Sequence, residues 1–152
     1  MKNEHEVLFN QVKTYRNDVL SVVEDVSEYE SEIIPKYFKN NIRWNLGHIY
    51  LDQFLWIETL TKEYSSITKN LMKWFGFGTS PDNFTSETPS FEELKYLLKQ
   101  QPIEIENCYR HQLSKEYPPI EMEMYTIEQV LIRTIFHEGM HLQAIIDIKK
   151  HL

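Results

Sequence analysis

Three of the six histidines in this 152-residue chain stand where a ring nitrogen could do chemistry. His137 and His141 lie four residues apart, so on a helix their rings leave the same face and can converge on one ion. The structural alternative is a pair of hydrogen-bonded core histidines, but two imidazoles buried side by side are costly unless each finds partners. His48 stands among Trp44, Leu51 and Leu55, where an isolated polar ring has no local reason to sit. One such histidine reads as structural; three together, two at ligand spacing, point to a divalent metal. His5, His111 and His151 read as solvated side chains.

The run H-E-G-M-H (His137 to His141) also fits the zincin pattern, with Glu138 as general base. Such enzymes take a further ligand downstream, and the short tail after His141 offers no suitable one. Glu138 and His141 make one E-x-x-H, whereas a di-iron bundle needs two. Three neutral histidines would leave coordination positions open for water or substrate, the mark of a reactive site. Imidazole suits zinc, nickel, iron or copper alike. Glu138 is the candidate general base, or else a partner orienting a ligand ring. Asp52, one turn beyond His48, could do the orienting instead. Cys108 reads as a small buried residue.

The elements that must position these rings read as four helices. The first is expected from Asn3 to Glu30, on the seam Leu8, Val12, Tyr15, Val19, Val22, Val26 and Tyr29, with Asn3 and Glu6 as its cap. The second is expected from Asn41 to Lys62. Its stripe Ile42, Leu46, Ile49, Trp56 and Leu60 is interrupted by Gln53, and a second stripe runs through Trp44, His48, Leu51 and Leu55. Residues 62–90 read as one long loop holding the aromatic run Trp74 to Gly78, which could line a pocket or simply pin the loop. The third helix starts at the S-x-x-E box Ser90–Glu93 and ends near Gln112, with Leu94, Leu98, Ile105 and Cys108 inward and a kink at Pro102. The fourth starts at Thr126–Gln129. Its core stripe, Ile127 to Leu152, is polar in the middle at Thr134, Glu138 and His141.

Composition agrees with this reading. Four glycines and six prolines favour long helices over many short strands. A net charge of −7, with no Lys/Arg stripe, argues against nucleic acid and against an anionic membrane surface. The one cysteine cannot form an internal disulfide, which fits a reducing compartment. The start MKNEHEVLFN has no apolar signal core, and no stretch approaches the roughly 20 apolar residues of a membrane span. The expectation is one cytoplasmic all-α domain over residues 1–152, a four-helix bundle.

The segment N-N-I-R-W-N-L-G-H-I (Asn40 to Ile49) resembles the N-x-x-W-x-x-G-H signature of the DinB-like superfamily, and F-H-E-G-M-H-L (Phe136 to Leu142) resembles its H-x-x-x-H. The likeness covers essentially the whole chain. It implies an up-down-down-up bundle with a long connection between helices two and three, often as a homodimer. It also implies His48, His137 and His141 as ligands to one divalent ion, zinc or nickel first. Members resemble thiol S-transferases, some bacillithiol-dependent, or hydrolases and isomerases that use low-molecular-weight thiols. The resemblance therefore implies a small electrophilic substrate. After the last histidine many members read H-x-G-Q, where this chain has His141-Leu142-Gln143-Ala144.

Overall fold

Side chains at the predicted starts do cap the helices. Asn41 Oδ1 accepts from the Trp44 N–H at 2.8 Å, while Ser90 with Glu93 and Thr126 with Gln129 form reciprocal boxes. The computed structural model describes residues 4–152, and the regular elements among them are all helical. The long ones are α1 (Glu4–Val22), α3 (Ile42–Thr61), α5 (Phe91–Tyr109) and α6 (Ile127–Lys149); α2 (Glu28–Ser31) and α4 (Ser66–Phe75) are short. No helix among the described residues is long and apolar enough to cross a membrane.

Cross-helix pairs fix the packing. Asn45 meets His141 and Gln53 meets Thr134, so α3 and α6 run antiparallel. Arg16 meets Glu138 and Val22 meets Lys149, so α1 runs with α6. Lys13 meets Glu106 and Arg16 meets Leu98, so α1 runs against α5.

Two apolar clusters fill the interior. One gathers Val19, Ile42, Leu46, Phe75, Leu94 and Ile145; the other gathers Leu8, Val12, Ile57, Ile105, Ile127 and Leu131. Arg16, Gln53, Thr134 and Glu138 are all buried and hydrogen-bonded to one another as a polar group. The polar interruptions of the second and fourth sequence stripes therefore face each other. Arg16 Nη1 also donates to the Leu98 carbonyl at 2.7 Å. That carbonyl lies four residues before Pro102, which has no N–H to give it, so the arginine supplies the bond the proline removes.

Four expectations need correction. The first helix ends at Val22, not Glu30: Lys149 Nζ takes the Val22 carbonyl at 2.7 Å, and the Ser27–Glu30 capping box starts α2. Tyr15 and Tyr29 of its supposed seam are exposed. The long loop holds α4, capped by Ser65, with Leu71 and Phe75 inward. Cys108 is exposed rather than buried. The proposed Asn3 cap lies outside the described residues.

Candidate metal centre

His48 comes from α3, and His137 and His141 come from α6, where those two helices run antiparallel. Their rings meet: His137 Nε2 is 3.2 Å from His48 Nε2 and 3.2 Å from His141 Nε2. The sequence signature explains how the rings are held. Asn41 caps α3, and Trp44 lies flat on the His48 ring, with centroids 4.8 Å apart and planes 11° apart. Gly47 leaves room for Phe75, since a Cβ there would stand 2.2 Å from the Phe75 ring. With α4 seated that close, the Phe75 carbonyl reaches His48 Nδ1 at 2.6 Å.

Each of the three rings has its other nitrogen bound to an acceptor. His48 Nδ1 faces the Phe75 carbonyl, and His137 Nδ1 faces Asp52 Oδ2 at 2.9 Å. His141 Nδ1 faces Asn45 Oδ1 at 2.8 Å. The Asn45 amide nitrogen already donates to Asn40 Oδ1 and to the Asn41 carbonyl, so its oxygen is the atom toward the histidine. A carbonyl, a carboxylate and an amide oxygen only accept, so all three Nδ1 atoms carry the proton. In the neutral rings, all three Nε2 lone pairs then point into one space.

Burial holds His48 below its ordinary pKa, against the pull of the Phe75 carbonyl. His141 is pushed down to about 3, first by burial and then by the His48 and His137 rings. Neutral rings with fixed Nδ1–H tautomers are what a metal ion requires of histidine. The spacing fits too. Nitrogens 3.2 Å apart, each about 2.1 Å from a shared ion, subtend about 100° there, between octahedral and tetrahedral values. His48 is buried and the other two rings are half-buried, and three lone pairs facing one another there are unfavourable unless a cation or a donor lies between them. The triad is thus positioned to bind a metal.

Asp52 takes the orienting role. Besides His137 it accepts from Trp56 Nε1 at 3.0 Å and from Arg133 Nη1 at 2.9 Å. Glu138 does not fit the role of general base. It is 4% exposed, and both its oxygens are held by Arg16, at 2.6 and 3.4 Å. Among the described residues it has no hydrogen bond to the three histidines. A zincin-like use of H-E-G-M-H loses its base for the same reason.

His5 lies beside Ser114, His151 packs its ring on Phe38, and His111 is exposed in the turn that follows α5, so none of them joins the site. A hollow of about 640 Å³ opens over His48 and His137, walled by Leu51, Leu55, Trp56, Met72 and the wholly exposed Phe77. Of the aromatic run, Phe77 lines this hollow, while Phe75 is core. Sequence reasoning missed Asn45, the Phe75 carbonyl and Arg133. Arg133 alone carried a signal, since it precedes His137 by one helical turn.

No curated protein matches the chain. A family model described as the DinB superfamily matches residues 11–145, a span that takes in all three histidines, the whole of α3 and most of α6, so the chain belongs to the DinB superfamily.

Proposed function

We propose that the protein binds one divalent metal ion through Nε2 of His48, His137 and His141 and uses it to activate a small nucleophile. One observation carries the reading: three Nε2 lone pairs converge while every Nδ1 is spent as a donor. Zinc or nickel is the ion we favour. Bound there, it would acidify a thiol or a water, so that a nucleophile is available at neutral pH.

The chain's own groups do the rest. Asp52 accepts the His137 Nδ1–H and so raises the basicity of that ring, while Asn45 and the Phe75 carbonyl fix the other two. Leu51, Leu55 and Trp56 exclude water from one side of the hollow. We favour transfer of a low-molecular-weight thiol to an electrophilic small molecule, with hydrolysis as the close variant. A homodimer belongs to the same proposal.

Elemental mass spectrometry tests the first step on untagged protein reloaded with zinc or nickel. We expect about one equivalent in the wild type, and loss of it in His48→Ala with helicity retained. Metal kept by the variant removes His48, and no metal in either protein ends the enzyme reading. Thiols and electrophiles are then screened on the loaded protein. A site that merely ties α3 to α6 would raise thermal stability and turn over nothing.

A further inference from the structure

Arg133 and His137 lie one turn apart on α6, and both line the hollow over the triad. Arg133 is held from two sides: Nη1 donates to Asp52 Oδ2 at 2.9 Å, and the guanidinium lies 4.4 Å over the Trp56 ring. Its Nε and Nη2 have no hydrogen-bond partner among the described residues. The side chain keeps 24% of its surface exposed, against 9% for Asp52. Asp52 is a carboxylate that only accepts, and its oxygens already take bonds from His137, Trp56 and Arg133.

We propose that Arg133 anchors a carboxylate, and that the site takes a small molecule carrying that carboxylate within about one helical turn (~5–6 Å) of the atom facing the histidines. The assignment rests on the metal reading above. A guanidinium presents its N–H groups as a planar fork that a carboxylate matches, and this one is already fixed by Asp52 and Trp56, so little further ordering is needed. The apolar walls strengthen such a contact by keeping water away from part of it. Asp52 and Glu121 are the acidic side chains lining the hollow among the described residues, and together they disfavour a polyanion. A single carboxylate satisfies both conditions.

The test uses zinc-loaded protein and calorimetric titration with 3-mercaptopropionate and with 3-mercaptopropionamide, which differ in the charged group alone. We expect the wild type to bind the carboxylate probe tenfold or more tightly, roughly the worth of one charge-assisted contact. Arg133→Gln should lose that preference while keeping one zinc and the wild-type affinity for the amide. Arg133→Lys, which keeps the charge but not the fork, should fall between, and it stands in if the glutamine variant fails to fold. Equal binding of both probes by the wild type overturns the assignment. A preference that survives Arg133→Gln does the same, since the carboxylate would then be meeting the metal. Equal weakening of both probes would reduce Arg133 to a support for Asp52. Failure of the wild type to take up zinc is seen before any thiol is added and sinks the metal reading itself.

Discussion

Two polar clusters, one buried and one half-buried, meet the same stretch of α6 and differ in how their partners are matched. The Arg16 cluster is closed: the guanidinium donates to Glu138, Gln53 and the Leu98 carbonyl, and Gln53 donates to Thr134. Donors and acceptors match, and nothing from outside is needed. The histidine cluster is open: three Nε2 acceptors face one another with no donor between them. Neighbouring residues, Glu138 and His137, thus belong to different kinds of site. Residue type does not separate them; the inventory of partners does. A satisfied network holds helices together, and converging unsatisfied acceptors hold a ligand.

The largest effect should come from opening the closed cluster. Arg16→Met leaves the Glu138 carboxylate buried and unpaired and the Leu98 carbonyl without a donor. Removing one partner of a buried pair costs about 3–5 kcal/mol, read as a drop in chemical-denaturation stability. Zinc stoichiometry of the folded fraction should stay near one. If metal is lost while stability holds, the two clusters are not separate and the comparison fails.

Asp52 is the matching position on the open side. Asp52→Asn keeps the shape but removes the charge that fixes His137, and metal affinity should fall 10- to 100-fold, measured by competition with a chromophoric chelator. Thermal stability of the metal-free protein should change little by comparison. Unchanged affinity would remove Asp52 from the site.

Much of this arrangement was legible in the chain, for identifiable reasons. The α3 limits followed from Asn41 and its twin apolar stripes, and the α6 start followed from Thr126–Gln129. That three histidines would come together was signalled by the spacing of His137 and His141 plus the oddity of a polar ring on an apolar face at His48. Asp52 was a matter of one helical turn. The errors have separate causes. Glu138 sits one residue from a ligand, but a helix turns about 100° per residue, and that carries it from the triad to Arg16. Cys108 and the end of α1 depended on which helix packs opposite, and no local pattern states that. The α4 helix had a readable cap at Ser65 hidden inside a stretch taken as a loop. The Phe75 carbonyl was invisible in principle, because a backbone acceptor carries no residue identity.

Glycines sharpen the contrast on a smaller scale. At Gly47 a Cβ would lie 2.2 Å from the Phe75 ring, whereas at Gly139, inside H-E-G-M-H, it would meet nothing within 4 Å. Gly47→Ala should therefore cost about 1–3 kcal/mol through overpacking, and it should also weaken metal binding by moving the Phe75 carbonyl off His48. Gly139→Ala, on the exposed face of a helix, should stabilise by up to about 1 kcal/mol. Denaturation curves of the two variants read both signs. A harmless Gly47→Ala would mean that α4 is not seated against α3 as described.

The smallest expected effect is the response of the metal-free protein to acid. His141 has a folded pKa of about 3 against an ordinary value of 6.5, lowered first by burial. The unfolded chain therefore takes up a proton below 6.5 that the folded chain refuses. The stabilising contribution is complete above 6.5 and is lost as pH falls from there toward 3. Between pH 6.5 and 5 the loss from this one ring is at most about 2 kcal/mol, less its partial exposure. Urea denaturation at pH 7 and pH 5 should show it in the wild type and show a smaller drop in His141→Gln. An equal drop in both proteins would mean that the open cluster is not what acid attacks first.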